Sequence, residues 1–152
     1  MLEIYVDADA CPVKQEVIKV AKRYGLAVTF VANSGMRIPD SEETKLVIIG
    51  SRQLDAADDW IAEKVSKDDI VITADIPLAH RCVQKGARIL GPSGKIFSEQ
   101  NIDELLATRD LMASLRDSGM ITGGGPPPFQ KQDRSNFLHS FDQIIQQIKH
   151  AK

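Results

Sequence analysis

Apolar runs of strand length and stretches of helical periodicity take turns along most of this chain, and that alternation constrains its fold more than any single motif. Residues 2–6 (LEIYV), 26–32 (LAVTFVA), 45–50 (KLVIIG), 69–73 (DIVIT) and 87–90 (ARIL) read as strands rich in β-branched residues. After the first, Pro12 suits a first helical turn, and Val13, Val17, Val20, Ala21 and Tyr24 recur at helical spacing until Gly25 stops the helix. Residues 36–44 are polar, carry Pro39 and read as a loop. Ala57, Ile61 and Val65, with Trp60 on the flank and Asp55 as cap, mark a second helix. Ile76, Ala79 and Val83, stopped by Gly86, mark a third. The run KLVIIG is apolar throughout, as a strand covered on both faces requires. Right-handed crossovers between such strands predict a parallel sheet with helices on both faces, a three-layer α/β/α sandwich.

The rest of the chain adds helices. Residues 94–97 suit either a short edge strand or a turn. Asn101 with Glu104 resembles a capping box, and Ile102, Leu105, Leu106, Met112 and Leu115 form the stripe of the following helix. Residues 118–132 hold the run GGGPPP and read as an extended connector. Phe137, Leu138, Phe141, Ile144, Ile145 and Ile148 then predict an amphipathic helix over 133–150. At 152 residues the chain is expected to form a single domain, 1–152. A net charge of −2 argues against tight non-specific binding to long duplexes. Cys11 and Cys82 are too few for a disulfide framework and lack zinc-site spacing. Carboxylates by residue 7 and the absence of a long apolar run argue against a signal peptide or membrane span, so a cytoplasmic protein with no membrane partner is expected. No GxGxxG follows the first strand.

Polar residues gather at the strand ends. The first strand ends in Asp7 and Asp9, the second in Asn33 and Ser34, and the fourth in Asp75. The third leads to Ser51, Arg52 and then Asp55, Asp58 and Asp59. In an open parallel sheet these ends share the edge where ligands bind. Asp7, Asp75 and one of Asp55, Asp58 and Asp59 would converge there, and carboxylates so placed need a proton or a cation between them. Oxygen donors without histidine or cysteine suit Mg²⁺ or Mn²⁺, which points to metal-assisted phosphodiester hydrolysis. The same residues have structural uses: Asp55 and Asp75 as caps, Asp58 and Asp59 in a first turn. Cys11 lacks the phosphatase arginine six residues on, where Val17 stands. Lys14, Arg37, Arg52, Arg81, Lys131 and Arg134 are candidate phosphate contacts.

The stretches IYVDADACPV, LDAADDWIAE, VITADIPLA with the downstream GARILGP, and GGGPPPFQKQDRSNFLHSFD resemble, in that order, the YaiI/YqxD family of bacterial proteins. The resemblance runs from residue 2 to about residue 145. That family is grouped with the PIN-like nucleases. The resemblance implies a PIN-like sandwich, a parallel sheet of about five strands in the order 3-2-1-4-5, and an acidic Mg²⁺ or Mn²⁺ site for cleaving RNA. On that resemblance Asp7, Asp58 and Asp75 are the catalytic and metal-binding residues, with Asp9 a further ligand. Glu42 and Glu43 match a fourth PIN acidic position poorly. Asn33, Ser34, Arg52, Lys131 and Arg134 are expected to contact substrate, with the segment 123–134 packed back over the acidic edge. Self-association is left open. Two rival readings stand beside this one. Asp7-Ala-Asp9 also satisfies the D-x-D opening of haloacid-dehalogenase-type phosphoryl-transfer enzymes, although no G-D-x-x-x-D follows. A non-catalytic RNA- or nucleotide-binding protein that uses the Gly-Pro segment for a partner is the other.

Overall fold

The computed structural model describes every residue except 1, 10, 34, 36–37, 39–42, 50–55, 122–127 and 152. Its strands are β1 (Glu3–Asp7), β2 (Ala27–Ala32), β3 (Thr44–Ile48), β4 (Ile70–Ile72), β5 (Arg88–Leu90) and β6 (Ile96–Phe97). They form one sheet in the order β3-β2-β1-β4-β5-β6. All neighbours pair in parallel except β5 and β6, which are antiparallel. The predicted five-stranded order therefore holds, and residues 96–97 extend it by a short edge strand. A tight turn returns the chain, with the Gly91 N–H donating to the Lys95 carbonyl at 2.8 Å. The helices are α1 (Lys14–Tyr24), α2 (Ala56–Lys64), α3 (Ile76–Val83), α4 (Ile102–Asp117) and α5 (Lys131–His150).

The pleat sorts side chains into two cores, because successive strand residues face opposite sides. Ile4, Val6, Val28, Phe30, Ile70, Ile72 and Leu90 face one side and pack with Val17 and Val20 of α1 and with Phe137, Phe141, Ile144 and Ile145 of α5. Tyr5, Val31, Val71 and Ile89 face the other and pack with Ala57, Ile61, Leu78, Ala79 and Ile102 of α2, α3 and α4. The result is a three-layer sandwich. Gly25 ends α1 in the left-handed conformation at φ 67°, as its position after Tyr24 predicts. Among the described residues no helix is long and apolar enough to cross a membrane.

Four local expectations are corrected. The β3 run is covered only in part: it lies at the sheet edge, Leu46 and Ile49 are half-buried against the two cores, and Ile48 is 50% exposed. Apolar composition cannot tell an edge from an interior strand, because the neighbour that would cover it is set by topology. The stripe of α4 is fully buried only at Ile102: Leu105, Leu106 and Leu115 are half-buried and Met112 is 40% exposed. Asn101 makes no capping bond to α4. Its Oδ1 accepts from the Ser98 N–H and its Nδ2 donates to the Ile96 carbonyl, each at 2.9 Å, so it braces the β6–α4 turn instead. Helix α5 begins at Lys131, two residues before the predicted start, because Asp133 accepts from the Gln130 N–H at 2.9 Å. The expected Asp55 cap, most of the 36–44 loop and residues 122–127 of the Gly-Pro segment lie outside the described residues.

One glycine is required by α5. Gly94 has φ +93°, and a Cβ there would stand 2.7 Å from the backbone of Asn136. The Gly94 carbonyl also accepts from the Ser140 hydroxyl at 2.9 Å. Gly94→Ala is expected to cost about 2–4 kcal/mol, from left-handed strain together with the overpacking of a helix backbone that cannot yield cheaply. Urea denaturation of the two proteins checks this, and a loss below about 0.5 kcal/mol would mean α5 can shift freely.

Candidate active site at the carboxyl edge of the sheet

β1 lies between β2 and β4, and all three run in parallel, so their carboxyl ends meet at one edge. Asp7, the last residue of β1, is half-buried there. Thr73 follows β4, and its hydroxyl donates to Asp7 Oδ2 at 2.9 Å. The same hydroxyl oxygen accepts from the Asp75 N–H at 3.0 Å. Asp75 Oδ1 in turn accepts from the Leu78 N–H at 3.0 Å and caps α3. One threonine hydroxyl thus joins the two aspartates through a side chain and a main-chain amide. Burial pushes the Asp7 carboxyl above its ordinary range; the Thr73 hydrogen bond opposes the shift, and the nearby charges of Asp75 and Asp9 add to it.

Asp9 is exposed, and its Oδ2 accepts from the Asn33 N–H at 2.9 Å, tying the end of β1 to the end of β2. Asn33 Oδ1 is buried without a hydrogen-bond partner among the described residues. Asp7, Asp9, Cys11, Thr73, Asp75 and Pro92 line a cavity of about 210 Å³. Asp58 does not line it. It lies in the first turn of α2 and lines a second cavity of about 170 Å³ with Asp59, Asp75, Arg81 and Arg109. There Arg81 Nη1 meets Asp59 Oδ1 at 2.7 Å. Asp75 borders both cavities.

The structure therefore brings Asp7, Asp9 and Asp75 to one cavity, while Asp58 shares a wall with Asp75 alone. Among the described residues no three His, Cys, Asp or Glu side chains form a ready-made metal cage. Ser34 and Arg52 lie outside the described residues. Lys131 is exposed at the start of α5. Arg134 is held away from the acidic cavity: its Nη1 donates to both Glu16 carboxylate oxygens at 2.7 Å, and its guanidinium lies 5.2 Å from the Phe129 ring centroid. It lines a third cavity of about 350 Å³, which touches the acidic one at Cys11. Burial pushes up the Cys11 thiol and takes that of Cys82 to about 12, which leaves neither sulfur disposed to ionise near neutrality.

The sequence reading overlooked Arg109, which reaches the α2–α3 cavity from α4, a helix whose placement no local pattern reveals. Thr73 was visible only as part of a motif. Its linking role predicts that Thr73→Val, which keeps the volume and removes the hydroxyl, costs about 1–3 kcal/mol by stranding the partly buried Asp75 N–H and one Asp7 oxygen. Chemical denaturation checks this; a neutral result would show that solvent replaces the hydroxyl at no cost.

Comparisons with known proteins lead to one bacterial family. The model of the family described as "Uncharacterized BCR, YaiI/YqxD family" matches residues 5–147. A UPF0178 protein of Nitrobacter winogradskyi is 53% identical over 150 residues, covering 99% of this chain and 94% of that protein. One from Rhodopseudomonas palustris (strain HaA2) is 55% identical over 145 residues, covering 95% and 87%. One from Agrobacterium fabrum is 54% identical over 147 residues, covering 97% and 95%. No solved structure gives a significant match. With the matched region running from β1 into α5 and taking in Asp7, Asp9, Thr73 and Asp75, the chain belongs to the YaiI/YqxD family.

Proposed function

We propose that the protein is a Mg²⁺- or Mn²⁺-dependent ribonuclease that hydrolyses phosphodiester bonds at the carboxyl edge of its sheet. The observation that carries this reading is the shared cavity of Asp7, Asp9 and Asp75, with Thr73 bridging two of them. The PIN-like resemblance points the same way. The donor set fits a hard cation. All the donors are oxygens, and Asp7 is raised by neighbouring negative charge that a cation would offset. Mg²⁺ keeps several of its waters and needs only one or two protein carboxylates, so the lack of a three-residue cage does not oppose it.

Asp7 and Asp75 would hold the ion, and Asp9 and Asp58 stand at the two sides of that pair. When bound, such an ion polarises a phosphoryl oxygen and acidifies a water. The chain's own part is to place the carboxylates. Thr73 keeps the Asp7 carboxylate aimed into the cavity, and the cap on α3 does the same for Asp75. The Asn33 N–H holds one Asp9 oxygen, which leaves Asp9 less free to serve as the mobile general acid that the phosphoryl-transfer alternative assigns to it. The test is cleavage of a labelled single-stranded RNA by the purified protein with Mn²⁺ and with EDTA, alongside acid trapping of a phosphoenzyme. Metal-dependent cleavage without a trapped intermediate is expected. A trapped aspartyl phosphate would favour the alternative, and metal binding without turnover would favour a binding protein.

A further inference from the structure

Three cavities run along the carboxyl edge and share residues: the α1–α5 cavity meets the acidic one at Cys11, and the acidic one meets the α2–α3 cavity at Asp75. A strand whose scissile phosphate sits at the acidic cavity must continue past one end or the other. The two ends differ in charge. At the α2–α3 end, Asp58, Asp59 and Asp75 outnumber Arg81 and Arg109, and Arg81 is already paired with Asp59. At the α1–α5 end Arg134 is likewise paired, with Glu16, and Lys14 stands in excess.

From these contrasts we infer that the α1–α5 cavity is a nucleotide subsite, taking the residue of single-stranded RNA that flanks the cleaved bond. The inference rests on the nuclease reading above and adds the direction in which the strand leaves the acidic site. The cavity, about 350 Å³, falls in the range of small-ligand pockets. Its walls are mixed in the way a nucleotide requires. Pro12, Ile18 and Ile38 offer apolar surface to a base, and Gln15 offers an amide to its edge. Lys14 offers a point charge to the phosphate. Arg134 spends one nitrogen on Glu16, which fixes the guanidinium and leaves its other donors for an anion. Glu16, only 12% exposed, is held in turn by that pair.

The probe is a fluorescein-labelled ten-nucleotide single-stranded RNA, titrated in EDTA against Asp7→Asn protein so that nothing is cleaved. Adding Lys14→Ala should weaken binding about tenfold, as expected for one lost charge-assisted contact. It should also lower the slope of log affinity against log salt by about 0.7. Lys14→Arg should restore both, and Arg81→Ala and Arg109→Ala should bind as Asp7→Asn alone. Amide shifts on adding the RNA should gather at residues 11–18, 38 and 134. If binding is retained by Lys14→Ala and lost by the Arg81 or Arg109 variants, or if the shifts gather at 77–81 and 105–112, the strand leaves the other way and this inference fails while the nuclease reading stands. Adenosine monophosphate binding as tightly as the oligonucleotide would overturn it in favour of a free-nucleotide site. No RNA binding by any variant overturns the subsite, and the Mn²⁺ cleavage assay above decides the nuclease reading separately.

Discussion

Asp7→Asn is expected to abolish metal-dependent cleavage and, at the same time, to make the metal-free protein more stable than its parent near neutral pH. Both effects follow from the position of Asp7. Burial raises its pKa above the ordinary carboxyl range, and the charges of Asp75 and Asp9 add to that. Because the folded state holds the proton more tightly than the unfolded chain, stability falls as pH rises through the interval between the unfolded and folded pKa. The destabilisation is fully present above the folded pKa and absent below the unfolded one. Asparagine keeps the shape and can still accept from Thr73, but it carries no charge. The stability gap between variant and parent should therefore close as pH drops below about 4, where the parent's carboxyl is neutral too.

Mn²⁺ should reverse the order. The parent gains about 2.7 kcal/mol when free metal is a hundred times the dissociation constant. For a chain of this size that is roughly 5–11 °C in Tm. Asp7→Asn should gain little, whereas Asp110→Asn, a surface change on α4, should respond as the parent does. Thermal melting across a Mn²⁺ titration, at pH 4 and pH 7, reads all of this. A parent with no metal-dependent shift, or an Asp7→Asn protein that shifts equally, would falsify the assignment of these carboxylates to a metal.

The second large effect concerns the C-terminal helix. Phe141 is fully buried, and its ring centroid lies 5.3 Å from that of Phe137 beneath the sheet. Removing the ring opens a cavity between α5 and the β1–β2–β4 face, and Phe141→Ala is expected to cost about 3–5 kcal/mol. Leu111→Ala on the exposed part of α4 should stay within about 0.5 kcal/mol. Urea denaturation of the three proteins measures the contrast. A loss under about 1 kcal/mol for Phe141→Ala would mean that α5 docks on a core already complete without it. A large loss also bears on the site, because α5 carries the Arg134 that is pinned to Glu16 beside the α1–α5 cavity.

Much of this molecule was written in local pattern. The order of strands and helices along the chain and the arrival of Asp7, Asp9 and Asp75 at one edge follow from periodicity and from crossover handedness, which act over a few tens of residues, whereas the central place of β1 came from the family resemblance. Gly25 and the Asp75 cap were legible for the same reason, since a helix end is a local event. Other features depend on partners distant in sequence. The KLVIIG run looked fully covered, yet its strand lies at an edge, because edge position is decided by which strands pair and not by composition. The stripe on α4 looked like a core face and is fully buried only at Ile102, because helical period records which side is apolar and not how closely anything reaches it. Arg134 looked free to reach the acidic site itself, and a pair with Glu16, 118 residues away, places it at the neighbouring α1–α5 cavity. The separation of Asp58 from Asp7 was equally invisible: both stand at helix or strand ends on one edge, and only the lateral spacing of α2 and β1 puts them in different cavities.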